Sequence, residues 1–297
     1  VLQEGGADEA TIDAIVREAG GFRMGPFELM DLIGHDVNFA VTSSVFAAFF
    51  NDQRFLPSLI QQELVSAGHL GRKSGKGFYD YSEQADKPLP ATAPSAAAPH
   101  HVTIEGDLGV AEPLVTLIEA AGIKVSRVKE GFGAILLGDT TLQLTNGQMT
   151  TERSDNARNS NLIQFDLALD YSKATRIALA PADQASPDAV LKAIGLFQAI
   201  GKNVTVIDDV AGMVVMRTVA MLANEGYDAV NQQVCSESDV DVAMKGGVNY
   251  PFGPIEWAKS VGLGTVMNVL DNLAASYGED RYRTSPLIRR KVAGGNT

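Results

Sequence analysis

The sequence predicts an all-α unit, then an α/β unit, then a second all-α unit homologous to the first. Three observations carry this reading. Apolar residues recur at three- and four-residue spacing in DEATIDAIVREAG, PFELMDLIG and VNFAVTSSVFAAFF, all within the first 50 residues. After residue 100 the texture changes to short β-branched runs alternating with helical stretches. Finally, GFRMGPFELMDLIG at residues 21–34 returns as NYPFGPIEWAKSVG at residues 249–262, an offset of 228.

Taken in order, residues 1–82 form the first helical unit. Residues 83–100 (EQADKPLPATAPSAAAPH) are rich in Pro and Ala and read as a flexible linker without a core. In residues 101–210, HVTIEG, IKVSRV, GAILLG, RIALAP and NVTVID read as strands. VAEPLVTLIEAAG and SPDAVLKAIGLFQAIG read as helices, and the alternation predicts a parallel sheet. Residues 211–297 return to helical periodicity.

The repeat holds without a gap over more than 50 residues. Glu9, Ile12 and Asp13 match Glu237, Val240 and Asp241; Gly25-Pro26, Glu28 and Gly34 match Gly253-Pro254, Glu256 and Gly262; Leu59-Ile60 match Leu287-Ile288. The repeated stretch reads as helix architecture. Proline at the first helical position has its φ preset, Glu28 and Glu256 favour the positive helix end, and glycine suits the C-terminal stop. Ser236 and Asp239 have the spacing of a capping box.

The chain of 297 residues carries a formal net charge of −12 and no basic stripe, which argues against nucleic acid as a partner. It has one cysteine, Cys235, so neither a disulfide framework nor a thiolate metal site is expected. No signal sequence or membrane-spanning run is visible, and the expected location is the cytoplasm. The opening VLQEGGADEAT reads as the middle of something longer.

Candidate chemistry is sparse. GHLGRKSGKGFYDY (68–81) lacks the Walker spacing and reads either as a phosphate-contacting loop or as a glycine-rich turn with solvated lysines. His35 follows a helix-ending glycine and reads as a capping or surface residue rather than a general base. No histidine has metal-ligand spacing. Gly106, Leu108 and Ala111 occupy the three positions of a dinucleotide fingerprint. A leucine at the second fills the space a pyrophosphate would need, so the fingerprint is degenerate.

GFRMGPFELMDLIG followed by LIQQELVSAGHLGRKSGKGFYDY resembles the C-terminal domain of the bacterial 3-hydroxyacyl-CoA dehydrogenases. GKNVTVIDDVAGMVVMRTVAMLANEGYDAV is similar to that family's junction between its Rossmann-like and helical domains. A second helical copy behind a degenerate Rossmann-like domain resembles the 3-hydroxybutyryl-CoA (3-hydroxyadipyl-CoA) enzymes of phenylacetate breakdown. The resemblance implies hydride transfer between NAD and a 3-hydroxyacyl-CoA by a His–Glu pair with Ser and Asn. In this chain the His position reads as Asp166, the Glu position as Ala178 and the Asn position as Met216. The expectation is therefore the C-terminal part of such an enzyme, not catalytic alone and with no cofactor bound to it, NAD and the acyl-CoA belonging to the full-length protein. Met24, Gly25, Pro26 and Phe27 would form a wall of the substrate cleft. Residues 1–82 are expected to pack on 212–297 through their helices, as a dimer or internal pseudo-dimer. The first unit, which lacks its first helix, should expose apolar surface. The alternatives are a stand-alone assembly module and a fragment of a multifunctional fatty-acid oxidation enzyme.

Overall fold

In the computed structural model, which describes residues 1–295, the chain opens with helices α1 (Glu9–Glu18), α2 (Pro26–Ile33), α3 (His35–Ala48) and α4 (Leu59–Ser66). Strand β1 (His101–Glu105) is followed by α5 (Pro113–Ala120), β2 (Lys124–Val128), β3 (Ala134–Leu137), β4 (Thr140–Leu144) and α6 (Thr150–Ala157). Next come β5 (Leu162–Phe165), β6 (Arg176–Pro181), α7 (Pro187–Ala199) and β7 (Asn203–Val206). The chain then runs through α8 (Val215–Asn231), α9 (Glu237–Val248), α10 (Pro254–Val261), α11 (Leu263–Tyr277) and α12 (Pro286–Ala293).

The seven strands form one sheet in the order β2-β1-β3-β4-β5-β6-β7. The expected parallel sheet is corrected here to a mixed one. β1–β2, β4–β5 and β6–β7 pair parallel, but β1–β3, β3–β4 and β5–β6 pair antiparallel. The physical reason lies in the connections. A parallel neighbour needs a crossover of a dozen residues or more, and β3 reaches β4 through Gly138-Asp139 alone, with Gly138 at φ +67°.

The recurring Gly-Pro stretch has a concrete cause. Asp13 on α1 accepts the N–H groups of Phe27 and Glu28 at 2.9 and 3.0 Å, so it caps α2 from a neighbouring helix. Asp241 on α9 does the same for Ile255 and Glu256 of α10, at 2.8 and 3.1 Å. A Cβ on Gly25 would lie 2.1 Å from the Asp13 carboxyl carbon, and one on Gly253 2.3 Å from that of Asp241. Only glycine lets the carboxylate reach the helix end, and Pro at the first position gives up no needed donor. Ser236 and Asp239 close a reciprocal capping box at α9.

Residues 83–100 are not a flexible linker, and that reading is corrected. Ala91 N–H donates to Thr11 Oγ1 at 2.8 Å, Ala93 N–H to the Val204 carbonyl at 2.7 Å, and Ala96 N–H to Gln198 Oε1 at 2.9 Å. The small side chains let this strap press its backbone against Gly195, whose added Cβ would meet Ala97 O at 1.9 Å. Composition foretold the missing core but not the backbone donors that tie the strap down.

The glycine-rich stretch 68–81 wraps over α2. Asp31 accepts N–H groups from Phe78 and Tyr79, both at 2.9 Å, and the Tyr81 hydroxyl at 2.9 Å. Gly71 and Gly77 are required there, because a Cβ on either would strike Asp31. The backbone of this stretch forms a turn, held by Asp31. His35 is fully buried, with Nε2 2.7 Å from Asp31 Oδ1, which corrects its reading as a surface residue.

The two helical units touch, though through turns more than through helix faces. Arg54, almost fully buried, donates from Nε to Glu225 at 2.7 Å and pairs with Asp228 at 2.6 Å. Phe22 meets Tyr250 edge-on at 5.3 Å and Trp257 at 6.0 Å between ring centres. In the second unit α8 packs against α10, α11 and α12. Among the described residues no helix covers the first unit in this way, and the same positions face outward. Leu29 is 42% exposed where Trp257 is 2%, and Val41 57% where Val269 is 0%. Ile33 and Val45 are likewise exposed where Val261 and Leu273 are buried.

These packings predict opposite outcomes for glycines in one repeat. Gly25→Ala and Gly253→Ala should each destabilise the chain in urea unfolding by about 2 kcal/mol or more, through the lost cap and the clash. Gly246→Ala, inside α9 with open space around it, should stabilise by about 0.5–1 kcal/mol.

Candidate functional site

The three positions at which the resemblance places His, Glu and Asn come together in space. Asp166 follows β5, Ala178 lies on β6, and Met216 stands in the first turn of α8. Asp166 N–H donates to the Ala178 carbonyl at 3.0 Å, and Met216 N–H donates to Asp166 Oδ1 at 3.0 Å. All three residues are fully buried.

The carboxylate is committed to helix α8. Asp166 Oδ2 accepts from Val214 N–H at 3.0 Å and Val215 N–H at 2.7 Å, and Oδ1 also accepts Leu167 N–H at 2.8 Å. Met213, at φ +54°, turns the chain so that successive N–H groups aim at it. Helix N-termini carry orphan donors and a partial positive charge, and here one buried anion satisfies both. Ala178 has no group to orient an acid or base, and nothing solvent-accessible reaches Asp166. Burial pushes the Asp166 carboxyl up to about 6, while the four backbone N–H groups pull the other way.

The fingerprint positions are equally occupied. Gly106 has φ +66°, as a tight turn requires, but a Cβ there would lie 2.7 Å from the Gly131 carbonyl oxygen. The loop between β2 and β3 thus covers the approach a pyrophosphate would use. Leu108 and Ala111 are buried in the core. The donors at the helix entrance are taken by carboxylates: Gly109 N–H donates to Asp107 Oδ1 at 2.7 Å, and Leu108 N–H to Glu112 Oε2 at 3.2 Å. Glu112 is itself ion-paired with Arg127, so the N–H groups at this helix entrance are already engaged within the protein. These residues do not fit a dinucleotide.

The space between the sheet and the second helical unit is small. A cavity of about 230 Å³ remains, lined by Asp107, Leu108, Phe132, Asn146, Arg153 and Thr265 among others. Cofactor sites typically run from about 300 to 1,000 Å³. The loop after β4 closes the rest: Asn272 Nδ2 donates to the Asn146 carbonyl at 2.9 Å, and a Cβ on Gly147 would meet the Val269 carbonyl at 2.5 Å. LTNG (144–147) reads as a strand run in the sequence; the structure ends β4 at Leu144 and turns the rest, with Gly147 at φ +96°, into this plug.

Of the cleft-wall candidates, Gly25 and Phe27 are buried, Gly25 under Asp13 and Phe27 against Phe78 at 4.6 Å. Met24 and Pro26 are half-buried. A larger cleft, about 620 Å³, opens between the end of α1, residues 169–175 and the second unit. Its wall includes Phe252, the counterpart of Met24 at the 228-residue offset. Among the described residues no group of His, Cys, Asp and Glu is arranged to hold a metal ion, and no helix is long and apolar enough to cross a membrane.

A mixed sheet lies beside two copies of one helical unit, and comparison with known proteins finds one family domain in both copies. Residues 1–81 and 212–297 match the 3-hydroxyacyl-CoA dehydrogenase C-terminal domain, and residues 142–210 match the 3-hydroxybutyryl-CoA dehydrogenase reduced Rossmann-fold domain. The chain belongs to the 3-hydroxyacyl-CoA dehydrogenase family. It is 40% identical over 291 residues to a 3-hydroxyadipyl-CoA dehydrogenase of Escherichia coli, covering 98% of this chain and 55% of the relative. It also superposes on the crystal structure of a 3-hydroxybutyryl-CoA dehydrogenase from Escherichia coli with TM-score 0.85 and 36% identity, covering 100% of this chain and 57% of that one. A probable 3-hydroxybutyryl-CoA dehydrogenase of Bacillus subtilis is 31% identical over 110 residues, 37% of this chain and 38% of that protein. The chain thus spans little more than half the length of the relatives that match it throughout.

The cap predicts both a loss and a pH dependence. Asp166→Ala strands buried N–H groups and should cost about 3–5 kcal/mol in urea unfolding. The folded-state pKa lies above the usual 3.8, so folding favours the protonated form; that contribution is complete below pH 3.8 and is lost as pH rises through about 6. The stability advantage over Asp166→Asn should therefore shrink by roughly 2–3 kcal/mol between pH 4 and pH 7.

Proposed function

We propose that this chain is the C-terminal portion of an NAD-dependent 3-hydroxyacyl-CoA dehydrogenase, an enzyme that interconverts a 3-hydroxyacyl-CoA and a 3-oxoacyl-CoA. In this reading residues 1–82 are the helical domain of a first unit, 83–100 a docked strap, 101–210 a degenerate Rossmann-like domain and 211–297 the helical domain of a second unit. The second unit is a non-catalytic copy retained for assembly. The first helical domain supplies one wall of the acyl-CoA cleft, with Met24 and Pro26 its half-exposed residues, and the hydride chemistry belongs to a part of the enzyme outside this chain.

One observation carries the reading. The position where the family resemblance places a catalytic histidine holds Asp166, whose two oxygens accept four backbone N–H groups and reach no solvent. A general base must reach the substrate hydroxyl directly or through one water. A carboxylate sealed inside a helix cap does neither. The closed Gly106 turn and the N–H groups already engaged by Asp107 and Glu112 support the same conclusion for the cofactor.

The test is a fluorescence titration of the chain with NADH, with acetoacetyl-CoA added to the same cuvette. The expected outcome is no saturable binding and no NADH oxidation. Saturable binding would mean that the loop at Gly131 opens, and turnover would overturn the non-catalytic reading and make Asp166 the first residue to mutate.

A further inference from the structure

The second helical unit leaves bare a face that its counterpart in the first unit buries. On α1, Ala10, Thr11, Ala14, Ile15 and Ala19 are buried, and the α/β unit helps cover them. Leu169 N–H donates to the Ala19 carbonyl at 2.9 Å, Thr175 N–H to the Glu18 carbonyl at 3.1 Å, and Asp208 N–H to the Gly6 carbonyl at 3.0 Å. Arg176 Nε adds a bond to Glu18 Oε2 at 3.1 Å. At the 228-residue offset the matching positions on α9 are Ser238, Asp239, Val242, Ala243 and Gly247, and all are exposed. Val242 is 67% exposed where Ala14 is 0%. Val234 and Val248, which replace Gly6 and Gly20, are exposed as well.

Two further observations bear on this face. At its edge, between α8 and α9, lies an apolar cavity of about 260 Å³ lined by Leu222, Cys235, Val240, Ala243, Met244 and Pro254 among others, sharing Ala243 with the bare face. Gly246 and Gly247 sit inside α9, where glycine costs about 1 kcal/mol relative to alanine, and a Cβ on either would meet nothing. Their counterparts, Glu18 and Ala19, are where the α/β backbone comes closest to α1. Within this chain the glycine pair serves no packing.

We propose that the α9 face docks a second α/β unit of the same construction as residues 101–210, so that each α/β unit bridges the two helical units. The inference rests on the reading of this chain as part of a longer duplicated dehydrogenase. It specifies where the other α/β unit sits: against α9 of the second helical unit as well as on the first. One incoming module then covers both bare surfaces, because a helix like α8 following it lies over Leu29, Ile33, Val41 and Val45. The Escherichia coli relative matched over 55% of its length leaves 45% outside the match, room for one such module. A second copy of this chain does not fit, since its own α/β unit and α8 are already engaged on α1 and on α10 to α12.

Cys235, the only cysteine, lines the cavity at the edge of this face and reports on it. The experiment joins the unmatched portion of that relative to this chain in the order the relative carries it, and follows N-ethylmaleimide labelling of Cys235 by mass spectrometry, every cysteine of the added portion being replaced by serine. Labelling should be at least tenfold slower in the fused chain than in the chain alone. Val242→Lys should restore the fast rate in the fused chain and leave the short chain unchanged. Equal rates in the two chains, or no response to Val242→Lys, would overturn the proposal. A second arm avoids dependence on the fusion: a cysteine placed in the intact relative at the position aligned with Val242 should be protected from labelling, and free labelling there would refute the proposal. NADH binding by the short chain would sink the non-catalytic reading while leaving these rates untouched, so the two failures are distinguishable.

Discussion

The bond set between Asp166 and the start of α8 joins the sheet to the second helical unit. The carboxylate leaves the end of β5, and the N–H groups it accepts belong to Val214, Val215 and Met216. Helix α8 in turn supports α10, α11 and α12. A charge inside a protein is tolerable only when its hydrogen bonds are complete, and here a helix terminus completes them. The same completeness removes the group from chemistry. A general base must reach its substrate, and this side chain meets only backbone.

Buried carboxylates cap helices elsewhere in the molecule too. Asp13 holds α2, and Asp241 holds α10. Asp31 binds the wrap at residues 78–81, and its counterpart at the repeat offset is Lys259. The repeat has therefore kept its helix caps and let its accessory contacts diverge. The two units also differ in what covers them, and that difference, more than their internal structure, gives each its bare face.

Much of this was legible in the residues. The 228-residue repeat and the Gly-Pro helix starts stand in the linear sequence, because each depends on residue type at a fixed spacing; Asp166 and Ala178 stand where the family resemblance places His and Glu. The partner of Gly25 was not legible: Asp13 was matched as a repeat position, but only its reach across to another helix explains the glycine. The strap at residues 83–100 misled because its ties are backbone donors, which composition does not encode. The mixed sheet misled for a related reason. Strand direction follows from connection length, and the two-residue link at Gly138-Asp139 was hidden inside an apolar run. His35 gave no sign of burial, since its partner Asp31 and the wrap above it come from separate segments.

The most direct test of the Asp166 account is amide hydrogen exchange at Val214, Val215 and Met216. If the carboxylate caps α8 within the closed core, these amides exchange only with global unfolding, at the rate of the central strand amides. Exchange at the rate of a surface helix end would contradict it, and would mean that Asp166 is free to face a substrate.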